Sequence, residues 1–236
     1  MRILVIIAAY NEEENIEKTV KEFLEICPET DYLVVNDGST DRTEEILKIS
    51  QFHHVTLPVN LGIGGAIQTG YRYAFENGYD IAVQLDGDGQ HDPRFIRVLT
   101  EPIINGEADY CIGSRFITRK GFQSSGIRRT GIRFLSDEIR LMTGVRVKDV
   151  TSGFRAVGSN SIAAFCESYP IDYPEPEAIV DAIMRRERIR EIPVVMRGRE
   201  RGKSSITMWR SVYYMIKVTL DVFVCRISYG LRRRCQ

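Results

Sequence analysis

Apolar and polar positions along this chain alternate between two rhythms. Short runs of aliphatic and β-branched residues occupy Ile3 to Ala9, Asp31 to Val35, His54 to Leu57, Ile81 to Leu85 and Tyr110 to Ile112, each too short for an ordinary helix. The intervening stretches Glu12 to Ile26, Asp41 to Ser50, Gly64 to Asn77 and Pro93 to Ile104 carry helical spacing. Strand and helix in alternation predict a mostly parallel sheet covered on both faces, an α/β fold. The punctuation agrees: Asp41 stands as a helix cap with Glu44 three residues on, and Pro93 falls where a first helical turn accepts it.

Beyond Arg115 the rhythm loosens into a Gly, Ser and Arg-rich stretch over residues 113–133. Helices are expected at Ile132 to Met142, Ser159 to Ser168 and Glu175 to Arg185, with a turn at Thr151-Ser152-Gly153 and a strand near Ile192 to Met196. A last helix is expected from about Thr207 to Leu231. Its apolar residues Val212, Ile216, Leu220, Phe223 and Ile227 recur every three or four positions, opposite a stripe of Arg210, Lys217, Asp221 and Ser228. Six cations (Arg210, Lys217, Arg226, Arg232, Arg233, Arg234) face one carboxylate, Asp221, as suits a helix lying on anionic lipid. Packing against its own domain, a protein partner or a second copy fits the same pattern. The expected division is a domain over residues 1–206 and a basic amphipathic tail over 207–236.

Composition narrows the class. With 43% hydrophobic and 27% charged residues, the chain is able to bury one full core. Lys plus Arg equals Asp plus Glu at 32 each, so no overall field marks a nucleic-acid binder. The five cysteines are scattered without a CxxC pair, which predicts a reducing, cytoplasmic setting. No uncharged apolar run reaches the length of a membrane span, and the opening Ile3 to Ala9 run lacks a cleavage-type ending, so it reads as a buried first strand.

In an open α/β sheet, ligands gather at the carboxyl ends of strands. The unusual residues of this chain sit in the loops expected there: Tyr10-Asn11-Glu12, then Asn36 to Asp41, then Asn60-Leu61-Gly62-Ile63-Gly64-Gly65, then Asp86-Gly87-Asp88-Gly89-Gln90-His91. In the last, two carboxylates one residue apart with Gln90 beside them offer hard oxygen ligands for Mg²⁺ or Mn²⁺ shared with a diphosphate. The alternative is an acidic turn that caps the helix at Pro93, with His91 a surface residue. Asp37 is placed to accept hydrogen bonds from a nucleobase or ribose. The three glycines from Gly62 to Gly65 suit either a phosphate loop or a tight turn.

Taken in order, these segments together with Ile112-Gly113-Ser114-Arg115, Asp149-Val150-Thr151-Ser152-Gly153-Phe154-Arg155 and Arg199-Glu200-Arg201-Gly202-Lys203-Ser204 resemble the family 2 glycosyltransferases. The similarity is to the branch holding dolichol-phosphate mannosyltransferases and bacterial polyprenyl-phosphate glycosyltransferases, and it covers about residues 3–206. One departure is Ala8, where that family usually has proline.

The resemblance implies the GT-A fold and a set of roles. Tyr10, Glu12, Asp37 and Gly64 would line the nucleotide sugar, with Glu12 and Asp37 holding base and ribose. Asp86, Asp88 and Gln90 would organise the metal, while Arg199 and Ser204 close over phosphates. Arg115 and Arg155 would contact phosphate or acceptor, or else form structural salt bridges. An inverting transfer from a nucleotide-diphosphate sugar is implied, most readily to a polyprenyl phosphate at the inner face of the plasma membrane, with the protein peripheral there. A sugar hydroxyl on a polysaccharide or glycolipid is the alternative acceptor, and it needs a general base. Asp149 is the first candidate for that base, ahead of Glu175 and Glu177, which also suit the start of a helix. A sugar nucleotidyltransferase is disfavoured because no early Gly-x-Gly-x-Arg loop is present. A non-catalytic sugar-nucleotide sensor is disfavoured by the intact carboxylates.

Overall fold

The computed structural model describes residues 1–118 and 126–198, and in the tail Lys217, Thr219, Leu220, Phe223 and Val224. Seven strands form one sheet: β1 (Ile3–Ala9), β2 (Asp31–Asn36), β3 (His54–Thr56), β4 (Ile81–Asp86), β5 (Tyr110–Ser114), β6 (Arg155–Gly158) and β7 (Ile189–Pro193). Their order is β3-β2-β1-β4-β6-β5-β7. Every pairing is parallel except those of β6, which runs antiparallel between β4 and β5.

The near-continuous apolar run of β1 follows from its central position. Leu4, Ile6 and Ala8 point into one core and Val5, Ile7 and Ala9 into the other, as the two-residue period of a strand requires. The first core is closed by α3 (Gly62–Glu76), α5 (Gly126–Thr143), α6 (Ser159–Glu167) and α7 (Pro174–Met184), through residues such as Tyr71, Leu135, Phe165 and Ile179. The second is closed by α1 (Ile16–Ile26), α2 (Thr43–Ile49) and α4 (Ile96–Ile104), through Phe23, Leu47 and Leu99.

The first five strands and four helices match the sequence expectation to within a few residues. The expected strand at Ile192 to Met196 is observed three residues earlier, at Ile189–Pro193, where it pairs only with β5. Strand β6 was not anticipated at all. The expected helix over Thr207 to Leu231 lies largely outside the described residues, of which Thr219 donates to Glu138 Oε2 at 3.1 Å and Lys217 pairs with Asp172. Among the described residues, no helix is long and apolar enough to cross a membrane.

Candidate active site

Three parallel strands end side by side. Ala9 of β1 is level with Asn36 of β2, and Ala8 with Asp86 of β4. The first residue past each neighbouring strand is tied to β1: Asp37 donates its N–H to Ala9 O and Gly87 to Ala8 O, both at 2.9 Å. Three loops therefore emerge on one edge. Two of them are stitched together, with Asn11 N–H on Ser39 Oγ (2.9 Å), Thr40 N–H on Asn11 Oδ1 (2.8 Å), Glu12 N–H on Thr43 Oγ1 (2.9 Å) and Glu13 N–H on Asp41 Oδ2 (3.1 Å). Asn11 adopts the left-handed backbone (φ 54°) that lets its side chain reach Thr40. Tyr10 stands exposed at the rim, and the Glu12 carboxylate turns toward α1, accepting from Asn15 Nδ2 at 2.8 Å.

Asp37 lies under this platform, 2% exposed. Its Oδ1 accepts from Leu61 N–H at 2.7 Å, and Asn60 Nδ2 donates to its carbonyl, so it holds the N-terminal end of α3 beside the strand ends. Burial raises its pKa, against the lowering bonds from the Leu61 and Gly62 amides. Gly64 departs from the sequence expectation. It is buried, its N–H donates to Ile171 O (3.1 Å), and a Cβ there would meet Pro170 O at 2.0 Å and Ile171 O at 2.3 Å. Its lack of a side chain lets α3 pack on the chain before α7, so of the two readings open for these glycines this position shows close approach to backbone.

The acidic loop follows β4. Capping of the next turn, Pro93–Phe95, falls to Asp92, whose Oδ1 accepts from Arg94 N–H at 3.0 Å. Asp86 and Asp88 are thus not the residues that cap it. Asp88 Oδ1 accepts from Gln90 N–H (3.0 Å), and the Gln90 amide nitrogen donates to Arg197 O at 3.4 Å, leaving its oxygen end for a cation. His91 is not a surface residue: it is 3% exposed, stacks on Phe154 with centroids 4.9 Å apart, and its Nδ1 accepts from Asp86 N–H at 3.1 Å. That bond puts the proton on Nε2, which faces Asp86 Oδ2 at 3.5 Å. Burial pushes the imidazole pKa down to about 4, against the opposing pull of Asp88, so His91 is a neutral brace behind the loop. Neither its burial nor its bond had a signal in the sequence.

The second half supplies the facing wall. A Cβ on Gly153 would lie 3.4 Å from Asp86 Oδ1, so the turn from Thr151 to Phe154 rests on the acidic loop. Above it Arg115 and Asp149 are locked together. Asp149 is 0% exposed and receives Arg115 N–H (2.9 Å), Nε (2.8 Å) and Nη2 (2.6 Å), while Nη2 also donates to Thr151 Oγ1. Burial works against the charge on Arg115, but the Asp149 bonds outweigh it and its pKa is raised. This corrects the reading of Asp149 as a general base: a carboxylate with no solvent contact and both oxygens on one guanidinium is a strut.

Arg155 is corrected likewise. It is 0% exposed, with Nε on Ser152 O (2.6 Å), Nη1 on Tyr110 Oη (2.6 Å) and Glu175 O (3.0 Å), and Nη2 on Val150 O (3.4 Å). It ties β6 to β5 and to the start of α7, with each guanidinium nitrogen on a protein acceptor, which is the structural alternative to a phosphate or acceptor contact. Glu175 and Glu177 lie in the first turn of α7. Arg199 and Ser204 lie outside the described residues.

Among the described residues, no three His, Cys, Asp or Glu side chains gather as a ready-made metal cluster. Two carboxylates and an amide oxygen on one short loop are an incomplete hard-oxygen set, of the kind that a ligand's own phosphate oxygens complete.

Residues 4–162 match the family described as Glycosyl transferase family 2. An undecaprenyl-phosphate mannosyltransferase of Micrococcus luteus is 32% identical over 223 residues, covering 88% of each chain. A UDP-N-acetylglucosamine–dolichyl-phosphate N-acetylglucosaminyltransferase of Methanococcus voltae is 32% identical, covering 81% of this chain and 84% of its own. In fold, glucosyl-3-phosphoglycerate synthase of Mycobacterium tuberculosis, solved with uridine diphosphate, superposes with a TM-score of 0.70 at 22% identity over 95% of this chain and 80% of that one. With strands, strand-end loops and paired carboxylates arranged as described, this chain belongs to glycosyl transferase family 2.

Proposed function

We propose that the protein transfers a sugar from a nucleotide-diphosphate donor to a polyprenyl phosphate, with inversion at the anomeric carbon. The observation that carries the choice of acceptor is the state of Asp149. An attacking sugar hydroxyl needs a base to take its proton, whereas a phosphate oxygen is already anionic at neutral pH. The first candidate base is closed into its pair with Arg115, which favours the acceptor that needs none. Relatives named for undecaprenyl phosphate and dolichyl phosphate at 32% identity support the same reading.

The roles follow from position. Asp37 and the stitched loops at residues 10–13 and 39–43 would seat the nucleoside on a rigid floor. Asp86, Asp88 and Gln90 would hold a divalent cation, Mg²⁺ or Mn²⁺, which when bound offsets the negative charge of the diphosphate leaving group. His91, neutral and bonded to the Asp86 amide, fixes the loop without competing for that charge. The Arg115 guanidinium is held at the same edge by Asp149, its orientation set before substrate arrives.

A panel of nucleotide sugars offered with either polyprenyl phosphate or a soluble glycan, with added Mg²⁺ or Mn²⁺ and then with chelator, tests the proposal. Metal-dependent transfer to the polyprenyl phosphate is expected. Transfer to the glycan hydroxyl alone would sink it.

A further inference from the structure

A charged residue breaks the alternation of β7. Ile192 and, beyond the strand, Val194 and Met196 face the second core. Glu191 is one position out of phase with them, on the side of Ile189 and the first core, where its partner across the β5 pairing is the buried Ile112. It is half-buried there. A carboxylate on the core-facing side of a strand costs free energy unless donors meet it. Two do: Oε1 accepts from the Asp149 N–H and Oε2 from the Lys148 N–H, each at 2.9 Å. Because both partners are donors, both oxygens are used; a glutamine would turn its own amide hydrogens toward one of the two N–H groups.

Asp149 is therefore held from two neighbouring strands at once. From β7 the Glu191 carboxylate fixes its main chain, and from β5 the Arg115 N–H and guanidinium take its side chain. The two strands are paired in register as far as Ser114 and Pro193, so Glu191 and Arg115 hang from one frame with Asp149 between them. Residues 144–154 belong to no helix or strand, and side-chain ties decide where this segment lies. Ser136 Oγ donates to Val147 O near one end and Ser152 Oγ to Gly113 O near the other. Glu191 grips the middle.

We propose that Glu191 is a positioning residue for sugar transfer: by gripping the Lys148 and Asp149 main chain it sets where the Asp149 strut holds the Arg115 guanidinium at the strand-end edge. The proposal rests on the reading of Arg115 as a group that acts on substrate at that edge. Glu191 works through geometry alone. With its grip gone, Asp149 and Arg115 stay paired but the pair can shift, and a displacement of about 1 Å at a reacting edge lowers the rate by up to about a hundredfold.

The test compares Glu191→Ala, Glu191→Gln, Arg115→Lys and R115K/E191A in the full chain, the lysine keeping a positive charge opposite Asp149. Transfer to polyprenyl phosphate is measured per folded molecule, with urea unfolding giving the folded fraction. E191A is expected to lower kcat about tenfold or more, and E191Q by less, since it keeps one of the two acceptors. Arg115→Lys is expected to lower kcat as well, and E191A to add less than about twofold on the lysine background, because the arrangement it protects is already lost. Independently of turnover, the Arg115 Nε–H is followed by NMR in ¹⁵N-arginine-labelled protein and assigned by its loss in Arg115→Lys. E191A is expected to shift this resonance and speed its exchange with water. An unchanged kcat in E191A, effects of E191A and Arg115→Lys that multiply, or an Arg115 resonance that E191A leaves in place overturns the proposal. If E191A does not fold, E191Q carries the same comparisons. If the wild-type protein moves no sugar to polyprenyl phosphate, the acceptor assignment fails, and the NMR result alone decides whether Glu191 places Arg115.

Discussion

Replacing Asp149 with asparagine separates a strut from a base. In the folded protein Arg115 is 7% exposed and Asp149 0%, and the pair shares three hydrogen bonds of 2.6 to 2.9 Å. Asp149→Asn keeps the shape but leaves the guanidinium buried without its counter-charge, which costs about 3–5 kcal/mol. That is a large part of the roughly 5–15 kcal/mol that holds a domain folded. With a urea slope of about 3 kcal/mol/M, the midpoint should fall by roughly 1–2 M. Arg115→Leu should cost a similar amount by stranding the carboxylate, and the double variant R115L/D149N should recover much of the loss, because removing both charges removes the desolvation cost as well. Urea unfolding of the four proteins gives the coupling energy, expected to be at least about 2 kcal/mol. A general base would behave differently, losing about 10²–10⁴ in turnover while the fold stays intact. Asp149→Asn with a wild-type urea midpoint and turnover reduced a hundredfold would refute the strut.

Asp88→Asn should reduce transfer by about a hundredfold or more with little change in thermal midpoint, since its loop lies at the edge of the sheet; turnover and melting measured together decide this. Gly64→Ala places a methyl group 2.0 Å from Pro170 O and should cost about 1–3 kcal/mol, seen as a lower midpoint and, per folded molecule, an unchanged donor KM. Arg155→Met leaves Tyr110 Oη and the carbonyls of Ser152 and Glu175 without their donor. At about 1–3 kcal/mol for each unsatisfied buried group, it should be among the least stable single variants, and a stable Arg155→Met protein that binds acceptor poorly would restore Arg155 to the site.

The half of the fold that was legible in the sequence is the half in which local pattern and final environment coincide. The β1, β2 and β4 segments are apolar because both of their faces are covered, and a run of that kind is visible without knowledge of its neighbours. Strand β6 gave no such signal. It is four residues long, begins with Arg155, and owes its strand state to β4 on one side and β5 on the other, partners that lie 71 and 43 residues away in the sequence at Gln84–Arg155 and Ile112–Arg155. The register of β7 was displaced because Arg190 and Glu191 interrupt its apolar pattern, their side chains meeting Glu107 and the Lys148 and Asp149 amides instead.

The same division holds at the site. Asp86 and Asp88 are recognisable from two carboxylates after a strand. Whether an Asp, Arg or His beside them is exposed or braced depends on packing across the sheet, and that is where Asp149, Arg155 and His91 were misjudged. Gly64 was ambiguous for a simpler reason: a glycine before a helix serves close approach by a phosphate or by another chain segment equally well.

The antiparallel β6 also governs how this protein can be divided. Because it is wedged between β4 and β5, the strand that carries the acidic loop finishes its hydrogen bonding only when a segment some seventy residues downstream has arrived. A fragment ending near residue 118 would contain every carboxylate of the acidic loop yet leave β4 with a raw edge, open to pairing with other copies. The first and second halves of the chain therefore cannot be exchanged between relatives by cutting between β5 and α5. A working chimera would have to carry β4, β5 and β6 from one parent, and ribosomal synthesis must hold the first half unfinished until β6 emerges.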